Sequence, residues 1–237
     1  MARRRGFRFD VAGLNRIFFI TGTDTGAGKT VLTALLARFL RERGVNAAAL
    51  KPICSGGRDD ARILCAALDG ALALDEINPW HFRAPIAPLL AARRERKRVM
   101  PADVLAHLRT MRRRFDVLLV EGAGGLLSPL GEDFDSRDLI TALRAIPIIV
   151  GPNRLGVVNQ VRLTFEALPE SFRSGARVVL MSPPKPDNAT ASNAELLSEF
   201  FGARRIFRLP WLGRIFQPRP GLQYPAVRRT LRALSRV

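Results

Sequence analysis

The 237-residue chain carries 38 lysines and arginines against 21 aspartates and glutamates, a net charge of +17, and is 47% hydrophobic. Its length suits one α/β domain better than two and can bury a sizeable core, while its longest apolar runs, 17–20, 117–120 and 146–150, fall far short of a membrane span. No secretory signal is legible, and Cys54 and Cys65 make neither a disulfide framework nor a metal site, so a reducing cytoplasm is the expected compartment.

Residues 1–16 are basic and aperiodic and read as a mobile extension, with an Arg-rich targeting peptide as the alternative; the domain itself is expected over 17–237. Ile17-Phe18-Phe19-Ile20 reads as a strand buried on both faces. A glycine-rich turn follows, ending in Gly26-Ala27-Gly28-Lys29-Thr30. Val31, Leu32, Leu35, Leu36, Phe39 and Leu40 then recur at helical spacing as far as Arg41-Glu42-Arg43-Gly44. Strand, glycine-rich turn and helix are the context a phosphate-binding loop requires. The helix start offers unpaired N–H groups and the positive end of the dipole to phosphate. Lys29 can reach the β- and γ-phosphates, and the Thr30 hydroxyl can ligate Mg²⁺. The usual first glycine of such a loop falls on Thr23, and Gly22 lies one residue early, so the loop is a variant with Asp24 and Thr25 inside it.

Further strands are expected at 46–53, 116–121, 146–151, 177–181 and 205–209, and helices at 59–69, 101–113, 136–144, 156–167, 189–201 and 225–235. This alternation predicts one α/β domain of P-loop NTPase type, a mostly parallel β-sheet with helices on both faces and ligands beyond the C-terminal strand ends. Each motif falls at such an end. Lys51-Pro52-Ile53-Cys54-Ser55-Gly56-Gly57 closes the second strand, where Lys51 and Ser55 can face a ligand or simply belong to a structural loop. Asp59 and Asp60 follow; Asp60 is the favoured Mg²⁺ ligand and Asp59 the candidate helix cap.

Val120-Glu121-Gly122-Ala123-Gly124-Gly125 runs from apolar strand to carboxylate to glycine turn, so Glu121 has a cation to serve and the glycines let a ligand approach. Gly151-Pro152-Asn153-Arg154-Leu155-Gly156 opens a helix and is either a second anion site or an ordinary turn. Leu209-Pro210-Trp211-Leu212 ends the last strand, with core packing as its alternative. His81 and His107 belong to no constellation. Only Lys29, Lys51, Lys97 and Lys185 are lysines, so arginine is the default cation and the two motif lysines stand out. The basic runs 93–98 and 112–114 lack interleaved aromatics and read as solvated surface; nucleic acid is not the expected partner.

These residues together resemble dethiobiotin synthetase, a P-loop family of ATP-dependent carboxylase-cyclases. The resemblance runs from about Ile17 to Leu212 and is carried by Thr21 to Thr30, Lys51 to Gly56, Asn78-Pro79-Trp80-His81-Phe82, Glu121 to Gly125 and Pro210-Trp211-Leu212. It implies a homodimer using ATP, CO₂ or bicarbonate and 7,8-diaminononanoate, the last bound where subunits meet. It implies Mg²⁺ on Thr30, Asp60 and Glu121, and catalytic roles for Lys29, Lys51 and Thr25. Nucleotide contacts would come from Gly26 to Val31, Gly122 to Gly124, Ser182 and Pro210 to Leu212. The diamine would meet Lys51, Ser55, Gly151, Gly156 and Asn159, the last three from the neighbouring subunit. Three features depart from the family: Met181-Ser182-Pro183-Pro184 holds no asparagine to read adenine, Gln217 stands where a ribose-side glutamate is usual, and the loop between Gly57 and Asp59 is very short. The rival readings are a partitioning-type regulatory ATPase that contacts nucleic acid through its arginines, and a family member that has lost catalysis.

Overall fold

The computed structural model describes residues 16–213 and 218–236. Gln217 and the extension before Arg16 lie outside the described residues, and Arg16 itself already belongs to the first strand. The chain begins with β1 (Arg16–Gly22), α1 (Lys29–Arg41), β2 (Ala47–Leu50), β3 (Ile53–Ser55), α2 (Asp59–Ala67), α3 (Leu74–Ile77), β4 (Trp80–Phe82), α4 (Pro88–Arg94), α5 (Pro101–Arg112) and β5 (Val117–Glu121). It continues through α6 (Ser136–Leu143), β6 (Ile146–Pro152), α7 (Val157–Ala167), α8 (Glu170–Arg173), β7 (Arg177–Met181), α9 (Asn188–Phe201), β8 (Ile206–Leu209), α10 (Pro218–Gly221) and α11 (Pro225–Ser235).

Six strands form one sheet in the order β2-β5-β1-β6-β7-β8, every pairing parallel. β1 lies inside this sheet between β5 and β6 and is buried from Ile17 to Gly22, which is why its apolar run shows no alternation. α1 packs with α2, α10 and α11, while α5, α6, α7 and α9 form the other layer. The core joins both layers through Phe18, Phe19, Leu35, Leu119, Ile148 and Val179. Because parallel strands all end on one side, the loops after β1, β2, β5, β6, β7 and β8 share one rim.

The expected strand over 46–53 is in fact two. Lys51 donates its backbone N–H to Ile77 O at 3.0 Å rather than to the sheet, and Pro52 has no N–H to give. The chain therefore leaves the large sheet after Leu50, and β3 pairs in parallel with β4 as a separate two-stranded sheet. That small sheet, α3 and α4 were not legible because three to seven residues are too few to show a period. Among the described residues, no helix is long and apolar enough to cross a membrane.

Candidate active site

The turn after β1 delivers Lys29 by way of two glycines in the left-handed region, Gly26 at φ 72° and Gly28 at φ 96°. Gly28 is the N-cap of α1, so the helix opens with no side chain over its free N–H groups. A Cβ on Gly28 would stand 2.8 Å from Met181 Cγ, which ties the loop to the end of β7. The early Gly22 also has its reason: a Cβ there would lie 3.0 Å from Asp24 O and 3.1 Å from Lys29 Nζ. Lys29 bends back over the turn, its Nζ donating to Asp24 O at 2.9 Å and to Gly124 O at 2.7 Å. Burial, followed by the neighbouring charge of Lys51, lowers its pKa to about 8.

Beside it lies a charge network that the sequence separates widely. Glu121, at the end of β5 and 1% exposed, accepts from Thr30 Oγ1 at 2.7 Å and from Lys51 Nζ at 2.8 Å, both on Oε1. Lys51 also pairs with Asp60 in the first turn of α2. Burial alone would lower Lys51, but the charges of Glu121 and Asp60 outweigh it and hold it above the ordinary range. Burial pushes Asp60 the other way, and Lys51 brings it below the usual carboxylate value. Asp59 pairs instead with Arg62 at 2.6 Å, and Arg58 rather than Asp59 is the N-cap of α2, so the expected cap is corrected.

Thr30, Asp60 and Glu121 form a hard-oxygen set. Among the described residues no group of three or more His, Cys, Asp or Glu side chains is placed to hold a metal ion. Mg²⁺ does not need one, since it takes one or two carboxylates and fills its shell with waters and substrate phosphates. Glu121 Oε2 is buried and has no hydrogen-bond partner, a free acceptor beside the Thr30 hydroxyl, so the donors present fit that ion.

These groups line one cavity of about 780 Å³ that also takes in Thr25, Gly26, Gly28, Val31, Ser55, Ala123 and Gly124. Ala27 and Gly122 are buried and do not line it; a Cβ on Gly122 would meet Ser136 Oγ at 2.8 Å, so that glycine serves packing. Ser55 donates to Ile86 O at 2.6 Å. Through that bond the segment Pro85–Pro88, together with Ile63, becomes an apolar wall that sequence reasoning did not find. Prolines flanking a short apolar pair were the one available signal, and they read equally as a loop. Ser128, whose Oγ accepts from Gly125 N at 2.9 Å, was missed as well.

Other expected residues lie elsewhere on the rim. Ser182 and Pro210 line a second cavity of about 590 Å³ along β8 and α11, together with Asn153 and Arg229. Trp211, 47% exposed, and Leu212 line neither cavity. Gly151 is buried, with a Cβ position 2.9 Å from Val157 Cγ2, while Gly156, the N-cap of α7, and Asn159 are exposed. None of the three lines the phosphate cavity of its own chain. His81 is exposed, and His107 is bonded to Glu76 O at 2.9 Å, away from the site.

Residues 16–219 match a family described as an AAA domain. The chain is 38% identical to the ATP-dependent dethiobiotin synthetase of Anaeromyxobacter dehalogenans (strain 2CP-C) over 83% of its own length and 90% of that protein's. It is 33% identical to that of Bacillus subtilis over 84% and 89% respectively. With the MinD cell division protein of Aquifex aeolicus it shares a TM-score of 0.55 at 15% identity, over 92% of this chain and 96% of that one, which speaks to the fold alone. With its P-loop strand order, its Lys29–Thr30 turn and these relatives, the chain belongs to the ATP-dependent dethiobiotin synthetase family, ligases of biotin biosynthesis.

Proposed function

We propose that the protein joins CO₂ to 7,8-diaminononanoate at the expense of ATP, giving dethiobiotin, ADP and phosphate. The observation that carries this reading is the placing of Lys29, Thr30, Lys51, Asp60 and Glu121 in one cavity of about 780 Å³. That is room for a triphosphate end and a second small substrate together. In this reading one amine of the diamine captures CO₂ as a carbamate. A carbamate oxygen attacks the γ-phosphorus and ADP leaves, giving a carbamic–phosphoric anhydride. The second amine then closes the five-membered ring on the carbonyl carbon and expels phosphate.

The protein's part is placement and charge. The N–H groups of Gly26 to Thr30 cradle the phosphates, and Lys29 neutralises them. Lys51, held cationic by two carboxylates, stabilises charge on the moving phosphoryl group. Thr30, Asp60 and Glu121 would hold Mg²⁺, which would supply neutralisation of phosphate charge. Thr25 and Ser55 orient the carbamate. Proper alignment of carbamate and γ-phosphate is worth ~7–11 kcal/mol when near-attack geometry is reached. Pro85–Pro88 and Ile63 shield the alkyl chain from water. Ser182 and Pro210, which line the second cavity, face the base there, and Trp211 and Leu212 border it only in that they follow Pro210 in the chain.

The diamine's distal carboxylate is seated by Gly151, Gly156 and Asn159 of a second copy. The absence of these residues from their own chain's phosphate cavity is consistent with such an exchange. The deciding experiment incubates protein, MgATP, bicarbonate and diaminononanoate. Diamine-dependent ADP release with a product of cyclic-urea mass is expected. ATP hydrolysis that ignores the diamine and rises only with DNA would replace this reading with a regulatory ATPase.

A further inference from the structure

The segment Asn78 to Phe82 has no role in the chemistry above, yet Asn78 is fully buried beside it. Its side-chain orientation is fixed by its neighbours. Lys51 O can only accept and lies 2.7 Å from Asn78 Nδ2; Arg58 Nε can only donate and lies 3.2 Å from Asn78 Oδ1. The same Oδ1 is 3.1 Å from Cys54 Sγ, and Nδ2 reaches Pro52 O at 3.4 Å. Backbone bonds from Lys51 N to Ile77 O and from Trp80 N to Pro52 O, each 3.0 Å, complete the clamp.

This clamp matters because Lys51 sits between two sheets and belongs to neither. Both of its backbone polar groups are bound by Ile77 and Asn78. Arg58 is the N-cap of α2, the helix that carries Asp60, and it also donates to Asn78 O at 3.0 Å and Leu74 O at 2.9 Å. One buried amide thus joins the two segments whose side chains, Lys51 and Asp60, form an ion pair in the cavity.

We propose that Asn78 is a positioning residue for turnover, which fixes the Lys51 backbone so that its ammonium is aimed at the transferred phosphoryl group. This inference rests on the role given to Lys51 above. The Nδ2–Lys51 O bond is its working part, since the Oδ1 bonds act on Arg58 and Cys54.

Asn78→Asp separates the two, because a carboxylate still accepts from Arg58 but cannot donate to Lys51 O. Steady-state turnover, MgATP binding and thermal melting are measured for Asn78→Asp, for Lys51→Ala and for the double variant, with Asn78→Ser as the second substitution should the first not fold. The expected result is a folded protein with MgATP affinity within about twofold of wild type and kcat lower by about 10- to 100-fold. The Asn78 substitution is expected to add no further loss in the Lys51→Ala background, whereas a purely structural defect would compound there. Wild-type kcat in Asn78→Asp beside an inactive Lys51→Ala overturns the inference alone, as does a compounding loss or a failure of both Asn78 variants to fold. Full turnover in Lys51→Ala instead removes the reading of Lys51 on which it stands.

Discussion

The two ends of the rim are built differently. At β1, β2 and β5, buried charges touch one another: Lys51 and Glu121 are 6% and 1% exposed and share a 2.8 Å contact. At β7 and β8 several directional groups are already engaged within the protein. Ser182 N bonds to Leu209 O, Asn153 Nδ2 to Thr190 O, and Asn153 Oδ1 accepts from Asn193. Pro183, Pro184 and Pro210 have no N–H to offer. A buried charge is costly unless matched, so the phosphate end tolerates few substitutions. The cavity along β8 and α11 holds no such network of matched buried charges among its described lining residues.

Substitutions at each end sharpen this contrast. The largest effect is expected for Lys51→Ala, with kcat down by about 10²–10³-fold, the scale of one lost transition-state donor, and with MgATP binding retained in a calorimetric titration. Lys29→Ala is expected to weaken MgATP binding itself by about 10- to 100-fold, as for the loss of a charge-assisted bond; unchanged affinity would remove the loop from phosphate binding. Gly28→Ala acts where the two ends touch. The left-handed backbone and the 2.8 Å approach to Met181 should cost about 1–3 kcal/mol of stability in a denaturant melt. Ser182→Ala at the base end should change ATP affinity by less than about tenfold. A loss there as large as that of Lys29→Ala would erase the contrast.

The smallest effect lies outside both ends. Burial lowers the His107 pKa below its ordinary value of 6.5, the bond to Glu76 O opposing only in part. The folded state therefore binds this proton less readily than the unfolded one. The stability it contributes is present in full above about pH 6.5, the unfolded value, and is lost progressively as pH falls below it through the lower folded pKa. Melting temperatures from pH 7.5 to 5 should fall less steeply in His107→Gln than in wild type.

Much of the phosphate end could be read in one dimension because its parts are local. A strand, two left-handed glycines and a helix start fall within residues 16–30, and the left-handed backbone at 26 and 28 favours glycine. Glu121 could be read as well, since a carboxylate straight after four buried apolar residues must have a partner. Pro85–Pro88 and Ser128 could not be read. Their place in the site depends on Ser55 reaching Ile86 O and on Gly125 N reaching Ser128 Oγ, and neither bond leaves a periodic trace. Gly122, which looked like a ligand-facing glycine, is there to clear Ser136 and Phe19.

By itself the sequence determined the parallel α/β sheet, the phosphate loop and the strand end at which Glu121 sits. Each of these follows from local periodicity and from the backbone limits of glycine and proline. The break after Leu50 that frees Lys51 came instead from its bond to Ile77 O. Only the tertiary structure decided that Asp60 rather than Asp59 pairs with Lys51, that Ser182 and Pro210 border a separate cavity, and that Asn78 holds the Lys51 backbone. Those outcomes depend on which buried donors and acceptors meet across 9 to 70 residues of chain. Hydrogen-bond satisfaction over such distances is settled by packing.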